Sequence, residues 1–326
     1  RVDLTGLATV APEDPEPEFV NINADGEIAV TLQENNHIVI VDSRTGTVSG
    51  HFTAGTVDLD GIDTKSDGAL EFTGRIDGVP REPDSVKWLG TDRLVVANEG
   101  DYKGGSRGFT IFDRSGKVLY DAGASLEREV VRIGHFPDKR AKSKGIEPEG
   151  MEAAKFGDQQ YFFVLLERAS LMAVYKDTGG EPELVQLLPS GISPEGAVAI
   201  PARNLVASAN EVDLGEDGGA RSHVMIYELA EAEKAYPTIV SNDVDGTPIG
   251  WGALSGLVGD AEKDGILYAV SDSVYGMQPS IFTIDASRKP AEITGVTRIT
   301  RGGQPAQKLD IEGIALDGKG GFWLAS

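Results

Sequence analysis

Six times along the chain a short strand pattern opens on an acidic residue, or a serine in its place, and 15 to 18 residues later a second closes on another. The openings are Glu18, Asp84, Glu149, Glu195, Ser255 and Glu312. The closings are Glu34, Glu99, Glu167, Glu211 and Asp272, and the sixth repeat reaches Ser326 just where its closing residue falls due. A repeat of this kind constrains fold and site together. If the units stack around an axis, the recurring acids must gather at one end of it.

Laid side by side, the units predict four short strands each. First strands run from the opening residue, as in Glu149-Gly150-Met151-Glu152-Ala153 and Glu195-Gly196-Ala197-Val198-Ala199. Asp/Gly turns such as Ala24-Asp25-Gly26 suit tight hairpins. Second strands are near-continuous apolar runs (28–32, 94–97, 161–166, 205–209, 266–270), the pattern of strands covered on both faces. Third strands, such as His37 to Asp42 and Phe109 to Asp113, are rich in β-branched and aromatic residues, and a more polar fourth strand follows. Four strands per unit at a period of 46 to 66 residues predicts an all-β chain, a β-propeller of four-stranded blades. We expect a single domain over residues 1–326, with blades starting near 18, 84, 149, 195, 255 and 312 and the last one incomplete. Six inner strands are visible. A seven-bladed whole is favoured and six blades are the alternative, with Arg1 to Val10 as a candidate closing strand. Only Ser125 to Ile133 and Glu228 to Ala235 read as short helices, and 53–80, 121–146 and 212–222 read as insertions.

Aspartate and glutamate outnumber lysine and arginine by 52 to 30 over 326 residues, a net charge of −22. Such a field repels nucleic acid and attracts cations, so no polynucleotide partner is expected; a solubility surface is the alternative account of most of these charges. Cysteine is absent, which excludes disulfides and thiol chemistry. No run of 18 apolar residues occurs, so no membrane insertion by a helix is expected. A start at Arg1 and an end in mid-strand suggest a processed or truncated piece of a longer polypeptide.

In a propeller, the first strand of each blade lines the channel and the second returns to the same end. Glu149 with Glu167, Glu195 with Glu211, Asp84 with Glu99 and Glu18 with Glu34 thereby become neighbours on one rim. Adjacent blades also share Ala-Asn-Glu-x-Asp, at Ala97 to Asp101 and Ala209 to Asp213. Two like charges about 4 Å apart repel by about 4 kcal/mol at an effective dielectric of about 20. Something must relieve a crowded rim: a bound cation, interleaved basic side chains, or acids that stay protonated. Oxygen donors without cysteine suit calcium or magnesium. The candidate ligands are Glu149, Glu167, Glu195, Glu211, Glu312, Glu99, Asp101, Asp213 and Asp272. The alternative is bracing, with each acid capping backbone N–H groups of the neighbouring blade. A second candidate loop carries Asp58, Asp60, Asp63 and Asp67, although Lys65 takes a ligand place and Gly74 stands where a calcium loop needs Glu.

Other chemistries fit poorly. Gly104-Gly105-Ser106-Arg107-Gly108 matches a nucleophile-elbow string but lies in a loop between strands. Neither a phosphate-cradling loop nor a dinucleotide fingerprint occurs.

At these residues the chain resembles two families of exported bacterial proteins. Residues 251–326 resemble the phytase-like domain of the esterase-like phytase family, through Ala253-Leu254-Ser255-Gly256-Leu257, Leu267 to Asp272 and Asp310-Ile311-Glu312-Gly313. Residues 17–230 resemble the propeller portion of choice-of-anchor surface proteins, through Thr31 to Asn36 and Ala97 to Asp101. The resemblance implies a secreted or periplasmic propeller, calcium-dependent and acting on phosphoesters, with a small anionic substrate. Propeller phytases pair calcium with basic residues that grip phosphate, and only Arg168 and Lys87 offer themselves here. The competing expectation is a non-catalytic, calcium-stabilised module that binds a surface ligand.

Overall fold

The computed structural model describes residues 1–306 and 309–326. The chain forms two compact units. The first holds residues 1–60, 75–126 and 146–232 and the second holds 61–74, 127–145 and 233–326.

In the first unit each acidic repeat becomes an antiparallel meander. The first sheet is β1 (Pro17–Ile22), β2 (Glu27–Leu32), β3 (His37–Asp42) and β4 (Thr47–Thr53). A two-stranded hairpin follows, β5 (Thr56–Ile62) with β6 (Gly74–Pro80), inside the stretch expected as an insertion. The second sheet is β7 (Val86–Leu89), β8 (Arg93–Ala97), β9 (Phe109–Asp113) and β10 (Val118–Asp121). The third is β11 (Pro148–Phe156), β12 (Gln159–Leu166), β13 (Leu171–Lys176) and β14 (Glu183–Pro189). The fourth has only three strands, β15 (Pro194–Ile200), β16 (Leu205–Asn210) and β17 (His223–Glu228).

Between the second and third sheets runs helix α1 (Ser125–Arg132). The second unit contains β18 (Ile239–Ser241) and the short pair β19 (Asp243–Val244) and β20 (Thr247–Pro248). Its main sheet is β21 (Leu254–Gly259), β22 (Ile266–Ser271), β23 (Ser280–Asp285) and β24 (Ala291–Arg298), with β18 added in parallel to the edge of β24. The pairs β25 (Thr300–Arg301) with β26 (Gln304–Pro305), and β27 (Gly313–Leu316) with β28 (Phe322–Ala325), complete it. No helix among the described residues is long and apolar enough to cross a membrane.

In the first three sheets the apolar second and third strands are buried because neighbouring sheets cover both faces. Ile38, Ile40, Val86, Trp88, Leu94 and Phe112 join the first two sheets in one core cluster. Phe163, Leu165, Met172 and Val206 do the same for the third and fourth. Within the first unit the inner strands pack in chain order, β1 on β7, β7 on β11 and β11 on β15. In the second unit β21 packs on β27. Trp88 ties β7 to β1: its backbone N–H donates to Asn21 Oδ1 at 3.0 Å and its indole N–H to the Asn21 carbonyl at 3.1 Å.

Two expected elements are corrected. Residues 1–10 form no strand; turns and bends run through them, and Val2, Leu4 and Leu7 instead pack on Val30, Leu32, Val39 and Val41. Glu228 to Ala235 is not a helix. Residues 228–235 are all exposed, and a stretch this short with no face to bury cannot hold helical structure by propensity alone.

Four inner strands, β1, β11, β15 and β21, open on an irregularity. Pro17 pairs with Leu32 and Val20 with Val30, leaving Glu18 and Phe19 opposite the single residue Thr31. Pro148 and Met151 face Leu166 and Val164, so Glu149 and Gly150 oppose Leu165. Glu195 and Ser255 are likewise the extra residues between paired neighbours. These are β-bulges, which turn a side chain out of the regular alternation. The acid at each bulge is thereby aimed along the strand end instead of into a sheet-to-sheet core.

The glycines after Glu149 and Glu195 test how tightly neighbouring inner strands meet. A Cβ on Gly150 would lie 1.8 Å from the Glu195 carbonyl oxygen, while one on Gly196 would find nothing nearer than Ala209 Cβ at 3.8 Å. Gly150→Ala should therefore cost at least about 1–3 kcal/mol, and Gly196→Ala should stay within about 1 kcal/mol. Urea denaturation of the two variants checks this; equal losses would contradict the close approach of β11 and β15.

Candidate functional site

The bulges and the returning second strands bring six carboxylates together in the first unit. One oxygen each of Asp84, Glu99 and Glu149 lies within 4.8 Å of the others. Asp84 comes from the opening of the second sheet, Glu99 from the end of β8, and Glu149 from the bulge of β11. Gln33 steers Glu99, its Nε2 donating to Oε2 at 2.6 Å. Glu149 Oε2 is buried and has no hydrogen-bond partner.

The cluster continues through Glu149 into the next sheet. Burial pushes the Glu149 carboxyl up to about 10, helped by a hydrogen bond to Glu167 and by the charges of Glu167, Glu99 and Asp84. Glu167, 3% exposed, is also raised, by its own burial, although the Glu149 bond and the Arg168 guanidinium pull the other way. Glu195 is raised by burial and then by the charge of Glu211, while its bond with Glu149 opposes the shift. The pattern is that of a proton held on Glu149 and shared toward Glu167 and Glu195. Two of the expected means of relief thus operate, a retained proton and an interleaved cation. Arg168 Nη1 sits 2.7 Å from Glu167 and its Nε 3.3 Å from Glu147.

A third set of acids was missed at the sequence level. Two residues before each opening acid stands Glu16, Glu82, Glu147 or Ser193, followed by proline: Glu16-Pro17-Glu18, Glu82-Pro83-Asp84, Glu147-Pro148-Glu149 and Ser193-Pro194-Glu195. Glu82, Glu147, Ser193 and, in the second unit, Ala253 all adopt positive φ. Each accepts at its carbonyl the N–H of a residue just past the second strand: Gly100, Glu167, Glu211 and Asp272. Glu82 is almost fully buried and takes the N–H groups of Asp101, Tyr102 and Lys103 at 2.8, 2.8 and 2.7 Å. The tripeptide repeat acid-or-Ser, Pro, acid was the available signal. A left-handed residue at such a position costs on the order of 1–3 kcal/mol and persists where surrounding bonds fix it.

The other expected site residues lie elsewhere. Asp101 is exposed on the loop held by Glu82, and its charge reaches Glu34, which Glu16 above all holds up. Asp213 is exposed; it caps Gly215 N–H at 2.8 Å and pairs with Arg221 at 3.3 Å. Asp272 and Glu312 belong to the second unit: Asp272 caps the Val274 N–H at 2.9 Å and Glu312 is exposed.

The second candidate loop is internally tied. Asp58 accepts Gly78 N–H at 2.6 Å, Asp60 pairs with Arg75, Asp67 caps Ala69, and buried Asp63 takes the N–H groups of Lys65 and Glu71. Lys87 pairs with Glu152 at 3.2 Å, both nearly buried. Bracing is also present, through hydroxyls: Thr31 Oγ1 donates to the Asp84 carbonyl at 2.5 Å, and Ser255 Oγ donates to the Ile311 carbonyl.

Comparison with known proteins divides the chain along its length, not by its two units. Residues 5–104 and 102–180, together more than half the chain, match the Choice-of-anchor I domain. The chain belongs to the choice-of-anchor I family. Within this family member, residues 249–326 also match the Phytase-like family, described as esterase-like activity of phytase. No curated protein matches. Among solved structures, Kuenenia stuttgartiensis hydrazine synthase is 14% identical, with 95% of this chain and 73% of that chain covered and a TM-score of 0.43. Virginiamycin B lyase from Staphylococcus aureus is 10% identical, covering 97% and 79% with a TM-score of 0.36. The WD40 repeats of RRP9 are 12% identical, covering 91% and 68% at 0.37. Likeness of this degree says nothing of activity.

The Glu149 carboxyl keeps in the folded state a proton that the unfolded chain releases near its ordinary pKa of 4.5. The contribution of this group to folding stability in a chelator is therefore fully present below that pH and declines as pH rises toward about 10. Glu149→Gln, which mimics the protonated form, should melt higher than wild type at pH 8–9 and show a flatter pH profile. Thermal melts across pH 5–9 test this, and parallel profiles would contradict the retained proton.

Proposed function

We propose that this chain is an exported protein, secreted or periplasmic, that binds a divalent cation through Asp84, Glu99 and Glu149 and hydrolyses a small phosphomonoester. The observation that carries it is the convergence of three carboxylate oxygens within 4.8 Å, one residue of the set presenting a buried oxygen that lacks a partner. The donors are all oxygen, which suits calcium or magnesium. A cation there would neutralise the crowded carboxylates and polarise a phosphoryl oxygen.

The chain's own residues supply the rest. Glu149 would release its proton to solvent, by way of its bonds to Glu167 and Glu195, when a cation binds, so affinity should rise with pH. Gln33 orients Glu99. Arg168 is anchored by Glu147 and Glu167 while its side chain stays 39% exposed, so its guanidinium can still meet a phosphate.

The architecture we propose for this activity is one propeller domain over residues 1–326, with seven blades favoured and six as the alternative. It is supported by the ordered packing of the inner strands and by Val20 and Ile22 of β1, which are 61% and 57% exposed on a sheet face that a further blade would cover. A second reading is a calcium-stiffened surface module without catalysis. Its support is that Lys87 and Arg168 already pair with glutamates, leaving few cations to grip phosphate.

Calcium or magnesium at about 100 times Kd should stabilise the fold by about 2.7 kcal/mol. The shift should vanish in Asp84→Asn and Glu99→Gln. Melting with and without chelator, alongside turnover of p-nitrophenyl phosphate and phytate, separates the readings: stabilisation with turnover supports the hydrolase, stabilisation alone the binding module, and neither removes both.

A further inference from the structure

We propose that the free edge of β17 is a strand-addition site, taken by an extended segment of a partner protein with apolar residues at alternate positions and basic residues at its ends.

The first unit contains its own control for what covers this edge. Three of its four meanders have a fourth strand antiparallel to the third: β4 on β3, β10 on β9 and β14 on β13. Each of these pairings carries a register shift. The fourth sheet stops at β17, and among the described residues no strand pairs with its outer edge. Its pairing with β16 runs from Leu205–Glu228 to Asn210–His223 without a shift, so the strand is regular along its whole length.

The reason the sheet is incomplete lies in the turn. In the other meanders of this unit an aspartate at or just after the end of the third strand caps the reversal. Asp42 Oδ1 takes the N–H groups of Arg44 and Thr45, Asp113 Oδ1 those of Ser115 and Lys117, and Asp177 Oδ1 that of Gly179. At the same place β17 ends on Glu228 and runs into Leu229-Ala230-Glu231-Ala232, with neither aspartate nor glycine. Without that local capping the chain has no means to reverse, and the fourth place is left open.

The open place is lined to receive side chains. Beside the end of β17 a cavity of about 260 Å³ lies against Phe156, Tyr161, Met172, Val185, Leu188 and Tyr227. In the first sheet the fourth strand fills a comparable position with Phe52, whose ring sits 5.5 Å from Phe112 in the core cluster. Addition of a strand that is not part of a hairpin already occurs in this chain: in the second unit β18 pairs in parallel with the outer edge of β24. An unpaired edge offers backbone donors and acceptors to another chain, and pockets for alternate side chains give it selectivity.

The occupant's chemistry follows from the surroundings. Glu228 lines the cavity, Glu231 follows it in sequence and Glu181 and Glu183 shortly precede the lining residue Val185, all three exposed, and the whole chain carries −22. An acidic partner segment would be repelled, and a basic-ended one attracted.

The test uses a fluorescein-labelled peptide with the sequence of residues 183–189, the fourth strand of the preceding sheet, extended by two lysines at each end. Saturable anisotropy with the full chain, together with slowed amide exchange at residues 223–228, is the expected result. A second chain, in which residues 43–53 are duplicated after Glu228 and Glu228 is changed to Asp, should complete its own sheet, melt higher and bind the peptide at least about tenfold more weakly, a loss of 1.4 kcal/mol or more. No saturable binding to wild type overturns the proposal, as does binding that leaves exchange at 223–228 unchanged. A peptide-free wild-type dimer with these amides protected also overturns it, because the occupant is then a second copy.

Discussion

Carboxylates from three adjoining sheets of one unit meet around Glu149, whose buried carboxyl cannot readily ionise among them. One oxygen each of Asp84, Glu99 and Glu149 lies within 4.8 Å of the others, and Glu149 is linked through hydrogen bonds to Glu167 and Glu195, and Glu195 to Glu211. At about 4 kcal/mol per close like-charged pair, an ionised Glu149 beside its buried neighbours would cost a large share of a small domain's stability. The chain meets this with a proton on Glu149 and with Arg168 between Glu147 and Glu167. A divalent cation is the one remaining counter-charge that would also give the arrangement a use, and it would compete with that proton.

The strand ends are built to hold such a crowd. Glu149 and Glu195 stand on β-bulges, and each opening acid of this unit comes two residues after a position that in three of the four first-unit sheets takes positive φ, with proline between. Proline fixes the approach and the bulge fixes the exit, so the acid has little freedom to swing away into solvent. The same local frame serves bracing where the chemistry differs. With serine at the bulge, Ser255 reaches the Ile311 carbonyl of the adjoining inner strand. One backbone device therefore carries either a bracing hydroxyl or a site carboxylate, and residue type alone selects between them.

Much of this was legible in the sequence. The period of the acids, the apolar second strands and the Asp/Gly turns indicated meanders, and pairing within each repeat followed from strand direction: Asp84 with Glu99, Glu149 with Glu167, Glu195 with Glu211. The acidic loop at 58–67 was legible only as composition. Its aspartates turn out to cap their own backbone or pair with Arg75, because short polar side chains in loops satisfy the nearest N–H first. Glu82 and Glu147 escaped notice since they precede proline outside any strand, although the repeated tripeptide marked them. The helix expected at 228–235 failed for want of a face to bury.

By itself the sequence determined which residues pair within a sheet, because alternation, turns and strand polarity are local and act over a few residues. Only the tertiary structure decided which sheets share their acids. That Glu149 joins both Asp84 with Glu99 and Glu195 with Glu211, and that Arg168 serves Glu147, depends on how closely inner strands approach, which Gly150 permits and no spacing along the chain encodes. The same holds for β17. Its missing neighbour is written in the absence of a capping aspartate, but the cavity beside it exists only because β14 and β17 are brought together by the packing of two sheets.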